Sequence, residues 1–223
     1  EYREDTYSMG EYQNPNIRFL VTMAEKQLKD TNPESAKINL MKVLKLDSMN
    51  APALYHLGCI YTQEKQYKIS EKYFLRCINS DKNLSGAYYN LGYVYAQQKK
   101  YDLSENYLLQ FIELDKNFSR AYYNLGYIYY QTSKEKEAIF YFTRALSIDP
   151  NYKEAYYNKA MVYKHLGKKK KAQKDMKKFE MLNIPESFLL ACEVTRTYVT
   201  ENLGATEKIM EYCRKLLKWC REL

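Results

Sequence analysis

An all-α array of repeated helix pairs is the fold this sequence predicts, and three observations lead there. One motif returns every 34 residues, as APALYHLGCIY (51–61), SGAYYNLGYVY (85–95), SRAYYNLGYIY (119–129) and KEAYYNKAMVY (153–163). Inside each motif the apolar side chains recur at spacings of three and four, as on a helix that buries one face. Punctuation is sparse: 7 glycines and 5 prolines in 223 residues are too few for the many tight turns of an all-β chain.

Stepping back one more period reaches IRFLVTMAEKQ (17–27). Five units therefore run without insertion, 17–50, 51–84, 85–118, 119–152 and 153–186. Counted from the start of a unit, positions 4, 7, 8 and 11 carry Leu54, Leu57, Gly58 and Tyr61 in the second. The third has Tyr88, Leu91, Gly92 and Tyr95, and the fourth has Tyr122, Leu125, Gly126 and Tyr129. A second helix follows, marked by a small residue at position 20: Ala36, Ser70, Ser104, Ala138 and Ala172. The small residues at position 8 are expected to meet these across the pair, because two helices approach closely only where neither side chain is bulky.

The ends differ from the repeats. Residues 1–16 form a polar N-terminal segment with Asn14-Pro15-Asn16 ahead of the first helix. Residues 187–223 read as two divergent helices broken near Gly204, with Ile209, Cys213, Leu216 and Cys220 on one face. A repeat array ends on an apolar face that needs cover, so this pair is expected to be a cap.

The pattern of aromatic or Leu at 4, Leu-Gly at 7–8, Tyr at 11, small at 20, aromatic at 24, small at 27 and Pro at 32 resembles the tetratricopeptide repeat. Phe142, Ala145 and Pro150 complete it in the fourth unit. The first unit departs with Met23, Ala24 and Gln27, and the third and fifth carry Phe111 and Phe179 at position 27. The resemblance implies a right-handed α-solenoid of stacked helix-turn-helix repeats with a C-terminal capping pair. It also implies that the first helix of each pair lines an inner groove, reached by positions 2, 5, 6, 9, 12 and 13. Proteins of this family are interaction scaffolds, so a protein or peptide partner is expected.

Position 6 holds His56, Asn90, Asn124 and Asn158. Each asparagine offers two donors and an acceptor, and a ladder of them resembles those by which members of the family grip an extended peptide backbone. Position 5 adds Tyr55, Tyr89, Tyr123 and Tyr157, and position 9 adds Tyr93 and Tyr127. These are read as groove tyrosines, flat and apolar with a hydroxyl tip. Arg120 at position 2 completes the candidate peptide site.

Members that hold the acidic C-termini of Hsp70 and Hsp90 use a carboxylate clamp spread over three repeats. Started at the second unit, the clamp positions read Tyr55, Cys59, Asn90, Arg120 and Asn124; started at the third, Tyr89, Tyr93, Asn124, Glu154 and Asn158. Neither set supplies the cations a terminal carboxylate requires, which argues against chaperone tails as partners.

Charge and cysteine content exclude several classes. The formal net charge is +8, and the densest run is Lys168, Lys169, Lys170 and Lys171 followed by Lys174, Lys177 and Lys178. This basic patch fits a solvated turn first, then a surface for an acidic protein, RNA or anionic lipid, then a nuclear-import signal; without interleaved aromatics at stacking spacing it argues against specific RNA recognition. Five cysteines with no CxxC pair fit neither a metal site nor a disulfide framework, so reduced thiols in the cytoplasm, or the nucleus, are expected. Neither histidine, His56 or His165, lies in a catalytic or metal signature, and no phosphate-binding or nucleophile motif occurs. The sequence therefore predicts a non-enzymatic adaptor without cofactors or metal. The alternative is a structural subunit of a larger assembly that uses its convex, basic or end surfaces, with self-association through the Trp219 helix as one route.

Overall fold

The computed structural model describes residues 14–183, and every regular element among them is a helix. The ten are α1 (Pro15–Lys29), α2 (Pro33–Leu46), α3 (Ala51–Gln63), α4 (Tyr67–Ser80), α5 (Ser85–Gln97), α6 (Tyr101–Leu114), α7 (Ser119–Gln131), α8 (Glu135–Ile148), α9 (Lys153–His165) and α10 (Lys169–Leu182). The N-terminal segment up to residue 13 and the expected capping pair at 187–223 lie outside the described residues. By internal contacts the chain divides into two compact units, Glu1–Ile128 and Tyr129–Leu223.

Local chemistry sets the helix starts and stops. Asn14, Asn32 and Asn50 each cap a helix by accepting a backbone N–H, from Asn16 (2.9 Å), Ser35 (3.2 Å) and Ala53 (3.2 Å). Pro15 and Pro33 sit in first turns, where a missing N–H costs nothing. The turn inside each pair passes through a left-handed residue at position 15: Thr31, Lys65, Lys99, Ser133 and Gly167. At Lys99 the backbone N–H groups of Lys99 and Lys100 reach back to the carbonyls of Ala96 and Tyr95, closing the helix end. Between pairs, Asp47, Asp81, Asp115 and Asp149 accept the N–H two residues on, at 2.9–3.1 Å. This aspartate turn hands the chain to the next first helix.

In the first unit, α3 packs on α4 and α5 on α6 through the expected small residues. Ser70 and Ser104 at position 20 donate their hydroxyls to the carbonyls of Gly58 (2.9 Å) and Gly92 (2.6 Å). The space a Cβ would need, however, is taken from position 24. A methyl on Gly58 would stand 2.6 Å from the Phe74 ring, and one on Gly92 would stand 2.8 Å from Leu108 Cγ. The glycine therefore admits the position-24 side chain, and the position-20 hydroxyl satisfies its carbonyl.

Within each pair Tyr61 stacks on Tyr73 and Tyr95 on Tyr107, with centroids 5.4 and 5.6 Å apart. Successive pairs are joined by polar contacts. Lys37 on α2 reaches Glu64 at the end of α3, at 2.6 Å. At the next joint the polarity reverses: Glu71 on α4 accepts from Tyr95 (3.3 Å), Gln98 (3.1 Å) and Lys100 (3.2 Å). Burial pushes the Glu71 carboxyl up, but these donors outweigh it and hold the group below its ordinary value.

In the second unit, α8 packs on α9 and α9 on α10. Ala138, Phe142 and Ala145 face the core from α8, and Ala155, Ala160 and Val162 from α9. Tyr129 stacks on Tyr141 at 5.1 Å, and the Lys134 ammonium stands 5.4 Å from the Tyr129 ring.

Candidate functional site

The candidate groove residues sit on the first helices of their pairs, and the structure sorts them by burial. Tyr55 and Tyr89 at position 5 are buried, at 0% and 2% exposure. The Tyr55 ring lies edge-on to Phe74 with centroids 6.0 Å apart. Tyr89 packs against Phe111 (5.4 Å) and Phe118 (4.9 Å). The groove-facing expectation for these two tyrosines gives way to packing, because positions 5, 8 and 12 share the helix face that meets the second helix. Gly58 and Thr62, three and seven residues past Tyr55, are buried with it.

The asparagines turn inward as well. Asn90 is fully buried, and its Nδ2 donates to the Tyr55 hydroxyl (3.2 Å) and the Cys59 sulfur (3.6 Å). Asn124 Nδ2 donates to the Tyr89 hydroxyl at 3.3 Å, but Asn124 is only half-buried. The ladder thus bonds each of these position-6 asparagines to the position-5 tyrosine of the preceding repeat. His56 replaces asparagine at this position in the second repeat. Its Nε2 lies 3.6 Å from Glu25 on α1, its side chain is 13% exposed, and Nε2 has no hydrogen-bond partner among the described residues.

Surface remains elsewhere on the same helices. Tyr127 is 38% exposed and Tyr157 41%. Tyr93, Arg120, Tyr123 and Asn158 are half-buried. Burial, and then the neighbouring Tyr67, pushes the Tyr93 hydroxyl up, so it stays a neutral donor at physiological pH. Tyr157 rests against Phe179 with centroids 5.2 Å apart. Among the residues the sequence brings forward, His56, Tyr93, Arg120, Tyr123, Asn124 and Tyr127 thus retain accessible surface in the first unit. Tyr157 and Asn158 do so in the second.

The lysine run occupies the turn before α10 and the helix itself. Lys168, Lys169, Lys170, Lys171, Lys174 and Lys177 are exposed, and Lys171 stands 5.6 Å from the Tyr163 ring. Between α9 and this helix lies a pair that sequence reasoning missed. Lys159 Nζ is 3.5 Å from Asp175 Oδ1, with side chains 13% and 10% exposed. Asp175 Oδ2 is buried without a hydrogen-bond partner among the described residues, and burial pushes this carboxyl above its ordinary value against the pull of Lys159. The signal was present in the repeat register. Lys159 stands at position 7, where Leu57, Leu91 and Leu125 stand, and Asp175 at position 23, where Tyr73, Tyr107 and Tyr141 stand.

Among the described residues no three His, Cys, Asp or Glu side chains gather to hold a metal ion. Among the same residues no helix is long and apolar enough to cross a membrane.

Comparison with known proteins places this arrangement. Family models described as tetratricopeptide repeat match residues 51–84, 85–118, 119–152 and 141–174. No curated protein sequence matches the chain. Among solved structures, a crystal structure of MamA superposes with TM-score 0.67 at 25% identity, covering 70% of this chain and 92% of that one. MamA 41-end from Desulfovibrio magneticus RS-1 gives TM-score 0.72 at 20% identity, with 77% and 97% covered. YrrB, described as a TPR protein with an unusual peptide-binding site, gives 0.66 at 24% identity, with 78% and 90% covered.

Proposed function

The chain belongs to the tetratricopeptide-repeat family, a family of protein-interaction scaffolds, and on that premise we propose that its first helices hold an extended segment of a partner protein. The observation that carries this reading is the sorting of the inner tyrosines. Tyr55 and Tyr89 are consumed by packing, whereas Tyr93 and Tyr127, one repeat apart at position 9, keep accessible rings. Rigid aromatic side chains with a hydroxyl tip give contact area at small entropic cost. Beside them Asn124, with one amide proton engaged by Tyr89, keeps its carbonyl oxygen and a second proton for a peptide backbone.

In this proposal Asn90 and the position-5 tyrosines Tyr55 and Tyr89 hold neighbouring repeats in register. His56, Tyr93, Arg120, Tyr123, Asn124 and Tyr127 make the contacts, and Tyr157 and Asn158 do the same in the second unit. The adaptor is non-catalytic and works in the cytoplasm, in keeping with Cys59 and Cys77 being thiols rather than disulfides. A second reading, a structural subunit of a larger assembly, is favoured by one feature. Ile69, Leu75, Leu103 and Leu109 are exposed at matching positions 19 and 25 of α4 and α6.

A displayed library of random peptides, selected on the wild-type chain and re-tested on Tyr93→Ser/Tyr127→Ser, tests the groove. The groove reading expects enriched peptides whose affinity falls about tenfold or more in the variant, at an unchanged melting temperature. Enriched peptides that bind the variant as well as the wild type would sink it.

A further inference from the structure

We infer that the outer face of α10 is a second docking surface, separate from the groove, and that its partner is an acidic polypeptide segment. The helix is charged against its own interest. Cations belong at helix C-termini and carboxylates in the first turn. α8 follows that rule with Glu135 and Glu137 in its first turn. α10 has no acidic residue there and opens on Lys169, Lys170 and Lys171, with Lys168 at its N-cap. Further along, Lys170, Lys174 and Lys178 repeat at i, i+4, and Lys171, Lys174 and Lys177 at i, i+3, where like charges repel.

Little within the described residues relieves this. The carboxylate of Asp175 points into the core at Lys159 and acts on Lys174 only at a distance. No carboxylate among the described residues forms an ion pair with Lys168, Lys169, Lys170, Lys171, Lys174 or Lys177. A local arrangement that breaks the rules its sister helix obeys marks a site where charge serves something outside the fold.

Geometry selects the partner. At 3.6 residues per turn, Lys170, Lys171, Lys174, Lys177 and Lys178 fall within an arc of about 120°. Between positions 170 and 178 no apolar residue shares that arc, and Met181 alone continues it on the last turn, too little apolar surface to anchor in a membrane. No aromatic shares it either, so no platform exists for stacking bases. Lys170, Lys174 and Lys178 recur about every 6 Å along the axis. Alternate side chains of an extended polypeptide recur at nearly the same interval, about 6.8 Å. A strand of aspartates or glutamates would therefore meet the row in step, as point charges that need no bidentate geometry.

The test is fluorescence anisotropy with a labelled oligoglutamate, using the full chain at low and physiological salt and an unlabelled oligothymidylate of equal charge as competitor. The comparison protein is Lys170→Glu/Lys174→Glu/Lys177→Glu. The expected result is saturable oligoglutamate binding that weakens with salt and falls roughly tenfold or more in the variant. The variant should melt at or above the wild-type temperature, since it relieves like-charge repulsion. Absence of saturable binding, binding undiminished in the variant, or displacement by the oligonucleotide ahead of unlabelled oligoglutamate would each overturn the proposal. The groove is untouched by these substitutions, so peptides selected on Tyr93 and Tyr127 report on it independently.

Discussion

Glu71 and Asp175 are both carboxylates drawn in from solvent on second helices, and their pKa values shift in opposite directions. Glu71 accepts from a tyrosine hydroxyl, a glutamine amide and a lysine ammonium, all within 3.3 Å. Asp175 has one lysine at 3.5 Å and, among the described residues, no hydrogen-bond partner for its other oxygen. Burial raises both; only at Glu71 do the donors win. The difference teaches that a charge inside a repeat array stabilises it only when its lone pairs are filled, whatever the formal pairing.

The largest expected effect comes from breaking the poorer site. Asp175→Leu strands the Lys159 ammonium in a nearly closed environment and should cost about 3 kcal/mol or more in urea unfolding. Lys159→Leu/Asp175→Tyr installs the residues that the second, third and fourth repeats carry at these positions. That double variant should match or exceed wild-type stability, since well-packed apolar replacements of buried pairs are often neutral or better. Equal losses in the single and double variants would mean that shape, rather than uncompensated charge, sets the cost.

The register of the fold was legible because helix packing repeats with the sequence. First helices begin at Ala51, Ser85, Ser119 and Lys153, 34 residues apart. The contact between positions 8 and 20 was legible from side-chain size alone, though not its form, a hydroxyl on a glycine carbonyl beside a position-24 side chain. The site was less legible. Position 5 lies beside the apolar face at positions 4, 7, 8 and 11, and only the packing angle of the second helix decides which way it turns. Tyrosine suits either environment, so its identity alone does not decide between core and groove. The position-6 asparagines were ambiguous for a related reason: an amide that can hold a peptide backbone can equally hold the hydroxyl of the previous repeat. The position-23 tyrosines were readable in principle, since Tyr73, Tyr107 and Tyr141 recur in register, yet their stacking on position 11 follows only from the pair geometry.

That ambiguity separates two rungs of the same ladder. Asn90 is sealed and Asn124 is not. Asn90→Ala removes a buried amide that donates to the Tyr55 hydroxyl and the Cys59 sulfur, so it should cost about 1–3 kcal/mol. Asn124→Ala should cost less than about 1 kcal/mol, yet weaken the peptides that depend on Tyr93 and Tyr127. Urea unfolding and peptide titration of both variants give the contrast, which disappears if the two rungs behave alike in either assay.

The smallest effect is the pH dependence, and its sign differs at the two carboxylates. Glu71 is held below its ordinary value of 4.5, so its contribution is fully present above that value and is lost as pH falls through its folded-state value. The stability gap between wild type and Glu71→Gln should therefore shrink on acidification below about pH 4.5. Asp175 is held above its ordinary value of 3.8, so the folded state takes up its proton first. The cost of its charge is complete above the folded-state value and fades as pH falls toward 3.8. Wild type should gain on Lys159→Leu/Asp175→Tyr over that window while it loses its lead over Glu71→Gln. Urea midpoints followed from about pH 6 to about 3.5 read both slopes, and slopes of the same sign would show that the unpartnered oxygen of Asp175 is satisfied in solution.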